Sequence, residues 1–177
     1  MSESEESGAN AGGEGGQESG AAAATERTLL VLVDRTAELQ IALRYACRHA
    51  KALGARVALL HVIEPPEGLH WIAVERLSES ESREEAEAKL QELSAKVVEW
   101  TGMLPVIHLR EGRPLDELLK LIDEEPTVSM LVLGADTGPK GPGPLVTALA
   151  GKQVAKLRVP LIIVPGNLTD AGIDALV

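Results

Sequence analysis

Residues 28–34 read TLLVLVD, an almost unbroken apolar run that ends in a single acidic residue. A strand that helices cover on both faces has this composition, because neither face meets water. Four further runs of strand length follow, and segments with helical spacing separate them. These runs are 56–63 (RVALLHVI), 104–110 (LPVIHLR), 128–134 (VSMLVLG) and 159–164 (VPLIIV). The alternation predicts an α/β fold with a three-layer, doubly wound sheet of five parallel strands. We expect the strand order 3-2-1-4-5, which would make strands 1 and 4 neighbours.

Between the strands, apolar residues recur every three or four positions, as they do on the buried face of an amphipathic helix. The pattern predicts a helix after the first strand that ends at Gly54, a long helix over 80–101, and a third around Leu115–Ile122. A fourth helix is expected over about Leu145–Leu157. Proline and glycine residues favour a loop over 64–77.

The composition is that of an ordinary globular protein. Of the 177 residues, 45% are hydrophobic and 25% are charged, which suits one domain with a sizeable core. Aromatic residues make up only 2% and the formal net charge is −10, and both argue against binding of nucleic acid. The chain has one cysteine and no apolar run of membrane-spanning length. We therefore expect a cytoplasmic protein without a membrane partner.

The chain divides into three segments by composition. Residues 1–26 contain six Glu and six Gly but no branched aliphatic residue, so we expect a disordered acidic tail. Residues 27–166 carry the alternating pattern and form the predicted domain. Residues 167–177 are a C-terminal extension, in which Thr169 is placed to cap a short helix over Asp170–Leu176.

The candidate site lies where the first and fourth strands end. In a doubly wound sheet, ligands bind beyond the carboxyl ends of the strands, where the strand order reverses. Asp34 ends the first strand, while Gly134 ends the fourth and opens a loop of turn-forming residues at 135–144 (ADTGPKGPGP). A glycine-rich turn that leads into a helix can bind an anion through its backbone amides.

The composition of this loop supports an anion site in some respects and opposes it in others. Gly138 and Gly141 allow close approach to the backbone, Lys140 adds a positive charge, and Thr147 adds a hydroxyl group. Against this, each proline removes one amide donor, and Asp136 would repel a phosphate. The alternative interpretation is a rigid surface turn between strand and helix.

Five stretches, taken in order, resemble the universal stress protein family. They are LVLVD at 30–34, LLHVIEPP at 59–66, EGRPLDELLKLIDEE at 111–125, MLVLGADTG at 130–138 and VPLIIVPG at 159–166. The resemblance covers nearly the whole predicted domain. It implies a five-stranded doubly wound fold and a homodimer that pairs through the last strand, Val159–Val164. Some members of the family bind ATP and others do not.

The members that bind ATP carry Gly-x2-Gly-x9-Gly followed by Ser or Thr after the fourth strand, and two registers of this motif compete here. Counted from the end of the strand, the four positions are Gly134, Thr137, Thr147 and Ala148. Counted four residues later, they are Gly138, Gly141, Gly151 and Lys152. We favour the first register, because it needs no gap before the fifth strand, although only its first position is filled as in the family.

The resemblance also implies roles for two strand residues. It places Asp34 near the ribose of an adenine nucleotide and Val62 beside the adenine. The alternative for Asp34 is a cap on the following turn, and for Val62 a simple core position. Arg35 stands where family members often have glycine, and it could narrow the mouth of the pocket. The predicted nucleotide-binding residues are Asp34, Val62, Gly134, Ala135, Asp136, Thr137, Gly138, Lys140, Gly141 and Thr147.

We therefore expect a universal stress protein-type regulatory module that binds ATP or another adenine nucleotide at the carboxyl ends of strands 1 and 4. The alternative is a dimeric stress or interaction protein that binds no nucleotide. We expect no enzyme, since no residue is an evident base for activating water, although a slow ATPase stays open. His61, Glu64 and His70 lack the paired spacing of metal ligands, so no metal site is expected.

Overall fold

A computed structural model describes residues 26–65 and 72–177 of the chain. The expectation of a disordered tail falls almost entirely outside these ranges, as does His70. The strands are β1 (Thr28–Val33), β2 (Arg56–Ile63), β3 (Val106–Glu111), β4 (Val128–Ala135) and β5 (Leu161–Pro165). The helices are α1 (Leu39–Leu53), α2 (Ile72–Thr101), α3 (Pro114–Glu124), α4 (Pro144–Ala150) and α5 (Asp170–Leu176).

The five strands form one parallel sheet in the order β3-β2-β1-β4-β5, which confirms the predicted fold class. The central strand is β1, and its Leu30 lies opposite Ala58 of β2 and Leu131 of β4. Because β2 and β4 both run parallel to β1, the turns that follow the three strands all lie beyond the carboxyl ends of the strands, at one end of the sheet. Asp34 and the loop after β4 lie at this end.

Side chains alternate along β1 between two apolar cores, one on each face of the sheet. Leu29, Val31 and Val33 pack into a core that α1 and α2 cover, with α5 lying against α1. Leu30 and Leu32 pack into a second core that α3 and α4 cover. The continuous apolar run that opens the folded region is therefore explained by burial of the strand on both faces.

Several element boundaries differ from the sequence expectations, and strand β3, for example, is Val106–Glu111 rather than 104–110. Helix α2 begins at Ile72 inside the expected loop, because the residues after the proline and glycine breakers are mostly good helix formers. Helix α4 ends at Ala150, where Gly151 leaves helical geometry, and a single 3-10 turn at Val154–Lys156 replaces the rest of the expected helix. Strand β5 is Leu161–Pro165 rather than 159–164, so Val159 and Pro160 precede it.

Candidate functional site

The turn after β1 is built on Asp34. Its Oδ1 accepts two hydrogen bonds from Thr36, one from the backbone amide at 3.0 Å and one from the hydroxyl at 2.7 Å. Aspartate favours such turns because its short side chain reaches the backbone two residues further on. The capping role of Asp34 is therefore present, and the same residue also lines the cleft beside it.

This cleft opens beyond the ends of β1 and β2 and has two lobes. Both lobes are lined by Asp34, Arg35, His61 and Ser82. The first, which we call the strand-end lobe, has a volume of about 320 Å³ and is also lined by Leu32, Val33, Val62, Ile63, Glu64 and Pro114. The second, the α1–α2 lobe, has about 290 Å³ and is also lined by Thr36, Leu39, Gln40, Glu85, Ala86 and Lys89. Each lobe is near the lower limit of small-molecule sites, which is about 300 Å³.

The two lobes differ in chemistry. Apart from Glu64, the residues found only in the strand-end lobe are apolar, and Val62 is one of its buried side chains. The α1–α2 lobe adds one acidic side chain, Glu85, and one basic side chain, Lys89, to the Asp34 and Arg35 that it shares. Both lobes expose polar as well as apolar surface, and the α1–α2 lobe carries more charged side chains.

His61 lies between the lobes as a neutral imidazole. Its Nδ1 is 3.0 Å from the carbonyl oxygen of Val33, so the tautomer with a proton on Nδ1 donates a hydrogen bond there. Burial lowers the pKa of His61 below its usual 6.5, and the charge of Arg35 lowers it further. The hydrogen bond to Val33 and the charge of Asp34 act in the opposite direction without reversing the shift. In this tautomer, Nε2 is free to accept a hydrogen bond.

Arg35 reaches across the mouth of the α1–α2 lobe toward helix α2. Its guanidinium lies 3.6 Å from the carboxylate of Glu85, and the two side chains are 89% and 73% exposed. An exposed pair at this separation contributes little to stability, typically about 0–1 kcal/mol. Arg35 is therefore held loosely, and its donors can turn to another anion.

The loop after β4 satisfies many of its own polar groups. The amide of Gly138 donates to the Asp136 carboxylate at 2.7 Å, and the amide of Gly141 donates to the Gly138 carbonyl at 3.2 Å. The amide and hydroxyl of Thr147 both donate to the carbonyl of Gly143, at 3.0 and 2.8 Å. The three prolines of the loop have no amide hydrogen. These donors are thus engaged or missing, whereas the amides of Thr137, Lys140 and Gly143 donate to no acceptor within the described residues.

The structure brings only two of the predicted site residues into the cleft, Asp34 and Val62. The others lie on the end of β4 or in the loop after it and line neither lobe: Gly134, Ala135, Asp136, Thr137, Gly138, Lys140, Gly141 and Thr147. Sequence reasoning did not assign His61 and Ser82 to the site, and gave Arg35 only the role of narrowing its mouth. His61 carried a usable signal, since it is a polar residue inside an apolar strand, close to its carboxyl end.

Residues 26–65 and 72–177 contain neither a metal-binding cluster nor a membrane-spanning helix. No group of three His, Cys, Asp or Glu side chains there is arranged to hold a metal ion. None of the helices in the same part of the chain combines the length and the apolar character that a membrane crossing requires.

Comparison with known proteins identifies relatives along most of the chain. A curated universal stress protein from Mycolicibacterium smegmatis is 29% identical over 153 residues, which are 81% of this chain and 50% of the relative. The chain thus spans about half the length of this relative. The solved structure of UspA from Lactobacillus plantarum matches with a TM-score of 0.66 and 19% identity, covering 78% of this chain and 97% of that one.

Two other solved structures share the fold and carry a nucleotide. A universal stress protein in complex with cAMP matches with a TM-score of 0.56 and 21% identity, over 79% of this chain and 97% of that one. The universal stress protein of Archaeoglobus fulgidus in complex with dAMP matches with a TM-score of 0.55 and 21% identity, over 78% and 98%. The model of the universal stress protein family itself matches residues 26–165, so the chain belongs to the universal stress protein family.

Proposed function

We propose that the chain is a regulatory module that binds an adenine nucleotide in the strand-end lobe. The observation that carries this proposal is the lobe itself, in which apolar side chains of β1 and β2 lie beside the carboxylate of Asp34. Adenine would pack on Val62, and Asp34 would accept a hydrogen bond from a ribose hydroxyl. Two family members of the same fold are found in complex with cAMP and dAMP, which supports the choice of adenine.

The test uses adenosine, which contains the base and ribose without any phosphate. Asp34→Asn keeps an oxygen that can accept from Thr36 but removes the negative charge that strengthens a hydrogen bond from ribose. Titration calorimetry should find adenosine bound by the wild-type full chain and bound about tenfold more weakly by Asp34→Asn.

Asp136→Asn is the matched control for this experiment. Asp136 also holds a turn after a parallel strand through its carboxylate, yet it lines neither lobe of the cleft. Its substitution should leave adenosine binding unchanged. The proposal is wrong if the wild-type chain shows no heat of binding with adenosine and carries no adenine compound after purification, as read by mass spectrometry of the denatured sample.

A second candidate function is a homodimeric interaction module that needs no nucleotide. The observation that favours it is the outer edge of β5, where Ile163 is exposed and no strand pairs in the described residues. The C-terminal segment does not extend the sheet, since α5 packs on α1 with Ile173 fully buried. A second copy of the chain could pair with this edge through a two-fold contact.

A further inference from the structure

Helix α5 lies beyond the part of the chain that the family model covers. That model matches residues 26–165, whereas α5 spans Asp170–Leu176 and packs on α1. The amide of Gly166 donates to the carbonyl of Ala135 at 2.8 Å, which joins the extension to the end of the sheet. Beyond Gly166, the described backbone hydrogen bonds of the extension are all local. Side chains therefore hold α5 against α1.

The face of α1 that α5 covers is basic. Helix α1 contains Arg44, Arg48 and Lys51 but no Asp or Glu. Arg44 and Arg48 are four residues apart, so their side chains lie on the same face of the helix. The whole chain has a formal net charge of −10, and a helix without a single acidic residue contrasts with this composition. Such a face favours contact with carboxylates.

Helix α5 matches this face with opposite charges at the same spacing. Asp170 and Asp174 are also four residues apart, and Ile173 lies on the same face of the helix. Oδ1 of Asp170 lies 3.2 Å from Nε of Arg44, and Oδ1 of Asp174 lies 2.9 Å from Nε of Arg48. Ile173 is fully buried. Helix α1 thus contacts a short helix through two carboxylates and one apolar side chain.

The contacts that hold α5 in place are few. Ile173 belongs to neither of the two cores beside the sheet, and a helix of seven residues is not stable on its own in water. The carboxylates of Asp170 and Asp174 are exposed, so water weakens both ion pairs. A terminal helix held in this way opens more readily than the sheet. When it opens, Arg44 and Arg48 are uncovered.

We propose that the face of α1 around Arg44 and Arg48, which we call the α5-docking face, binds a short acidic helix of a partner protein. Helix α5 occupies this face within the chain until the partner helix displaces it. The partner carries two carboxylates one turn apart and an apolar residue beside them, as α5 does. A basic helix would instead be repelled by the two arginines. Neither arginine lines the cleft, so docking requires no nucleotide.

The probe for this face is a fluorescein-labelled synthetic peptide of residues 167–177. The full chain is titrated into it and binding is followed by fluorescence anisotropy. Ile173→Asp in the full chain removes the apolar anchor of the resident helix and leaves α1 intact. The peptide should bind this variant at least about tenfold more tightly than it binds the wild type, whose own α5 competes at a high effective concentration. A peptide that itself carries Ile173→Asp should not bind.

Arg48→Glu tests the charge pairing on the α5-docking face. Added to Ile173→Asp in the full chain, it places a like charge opposite Asp174 of the peptide and should weaken binding about tenfold. The matched control adds Lys120→Glu to Ile173→Asp instead. Lys120 belongs to α3, which covers the opposite face of the sheet, so its reversal should leave the affinity unchanged.

Three results overturn the proposal. They are no binding of the peptide to the folded Ile173→Asp chain, equal binding to this variant and to the wild type, and equal effects of Arg48→Glu and Lys120→Glu. If circular dichroism shows that Ile173→Asp does not fold, the full chain with Asp170→Asn and Asp174→Asn takes its place, because both carboxylates are exposed. The peptide should bind that chain about threefold more tightly than the wild type, and equal affinity overturns the proposal as well.

Discussion

Gly134 and Glu38 approach so closely that position 134 has no room for a side chain. A Cβ atom on Gly134 would lie 2.7 Å from Cβ of Glu38 and 2.8 Å from its carbonyl oxygen. Glu38 immediately precedes α1, and Gly134 lies near the carboxyl end of β4, so the contact fixes how near the helix start comes to the sheet. The glycine that resembles the first position of a phosphate motif is thus required by packing.

Replacing Gly134 with Ala should therefore destabilise the fold. Two of the three nearest atoms belong to the backbone of Glu38 and cannot rotate away, so the start of α1 must shift. Such overpacking costs about 1–3 kcal/mol of the free energy of unfolding, measured by urea denaturation. Gly138→Ala is the control, because its nearest atoms belong to the carboxylate of Asp136, which can move. Equal stability of Gly134→Ala and wild type would contradict this account.

Gly166 also lies against Glu38, but it approaches the side chain of that residue more closely than its backbone. A Cβ atom there would overlap Cγ of Glu38, a side-chain atom that Glu38→Ala removes. Gly166→Ala should destabilise the chain, and Glu38→Ala should restore part of that loss, since the carbonyl oxygen of Ala135 also lies 3.0 Å from the added Cβ; Glu38→Ala should not rescue Gly134→Ala. A double-mutant cycle at each position measures the difference. The explanation fails if Glu38→Ala rescues both variants equally.

The fold could be predicted from the sequence because a local pattern of residues marks each strand and most of each helix. Each strand is a run of apolar residues, and apolar residues recur at helical spacing in the segments between the strands. The type of each element and its order along the chain could therefore be predicted from the pattern. The start of α2 at Ile72 was missed, because breakers at 65, 66 and 68 made the whole segment resemble a loop.

The candidate site was only partly predictable, because tertiary contacts decide it. Asp34 and Val62 could be placed from the ends of their strands. The internal bonds of the loop after β4 and the approach of Glu38 to Gly134 involve separate segments, and no spacing in the sequence reports them. A glycine pattern alone cannot distinguish a turn that binds anions from one that bonds to itself.

Cys47 should be inert toward thiol reagents in the folded chain. It is 1% exposed, and burial raises the pKa of its thiol from 9.0 to about 12, which lowers the thiolate fraction at pH 8 about a thousandfold. Since the chain has one cysteine, the absorbance change with a chromogenic disulfide reports this site alone. Labelling should be rapid in denaturing urea and slow in buffer. Rapid labelling of the folded chain would contradict the burial of Cys47.

Two histidines should make the fold less stable in mild acid. Burial lowers the pKa of both His61 and His108 below 6.5, so near that pH the unfolded chain takes up protons that the folded chain does not. Their contribution to stability is present above about pH 6.5 and is lost as the pH falls through the lowered pKa values of the folded state. The melting temperature should be lower at about pH 5.5 than at about pH 7.5, which lie roughly one unit below and above 6.5.

The paired variant His61→Asn with His108→Asn tests the source of this pH dependence. Asparagine can donate to the Val33 carbonyl in place of His61 Nδ1 but does not titrate in this range. The variant should show a smaller fall in melting temperature over the same interval, measured by calorimetry in matched buffers. An equal fall in variant and wild type would assign the effect to other groups.

The outer edge of β5 should pair two copies of the chain. Ile163 is 38% exposed on this edge strand, and α5 lies on α1 rather than beside β5, so the backbone groups there stay open to a partner strand. Light scattering after size-exclusion chromatography should find a dimer at micromolar concentration, and Ile163→Lys should convert it to a monomer, because a lysine on the pairing strand opposes burial of that edge. Ile107→Lys is the matched control, since Ile107 is 50% exposed on β3 at the opposite edge of the same sheet. A wild-type monomer at every concentration tested, or dissociation by Ile107→Lys instead of Ile163→Lys, would rule out pairing through β5.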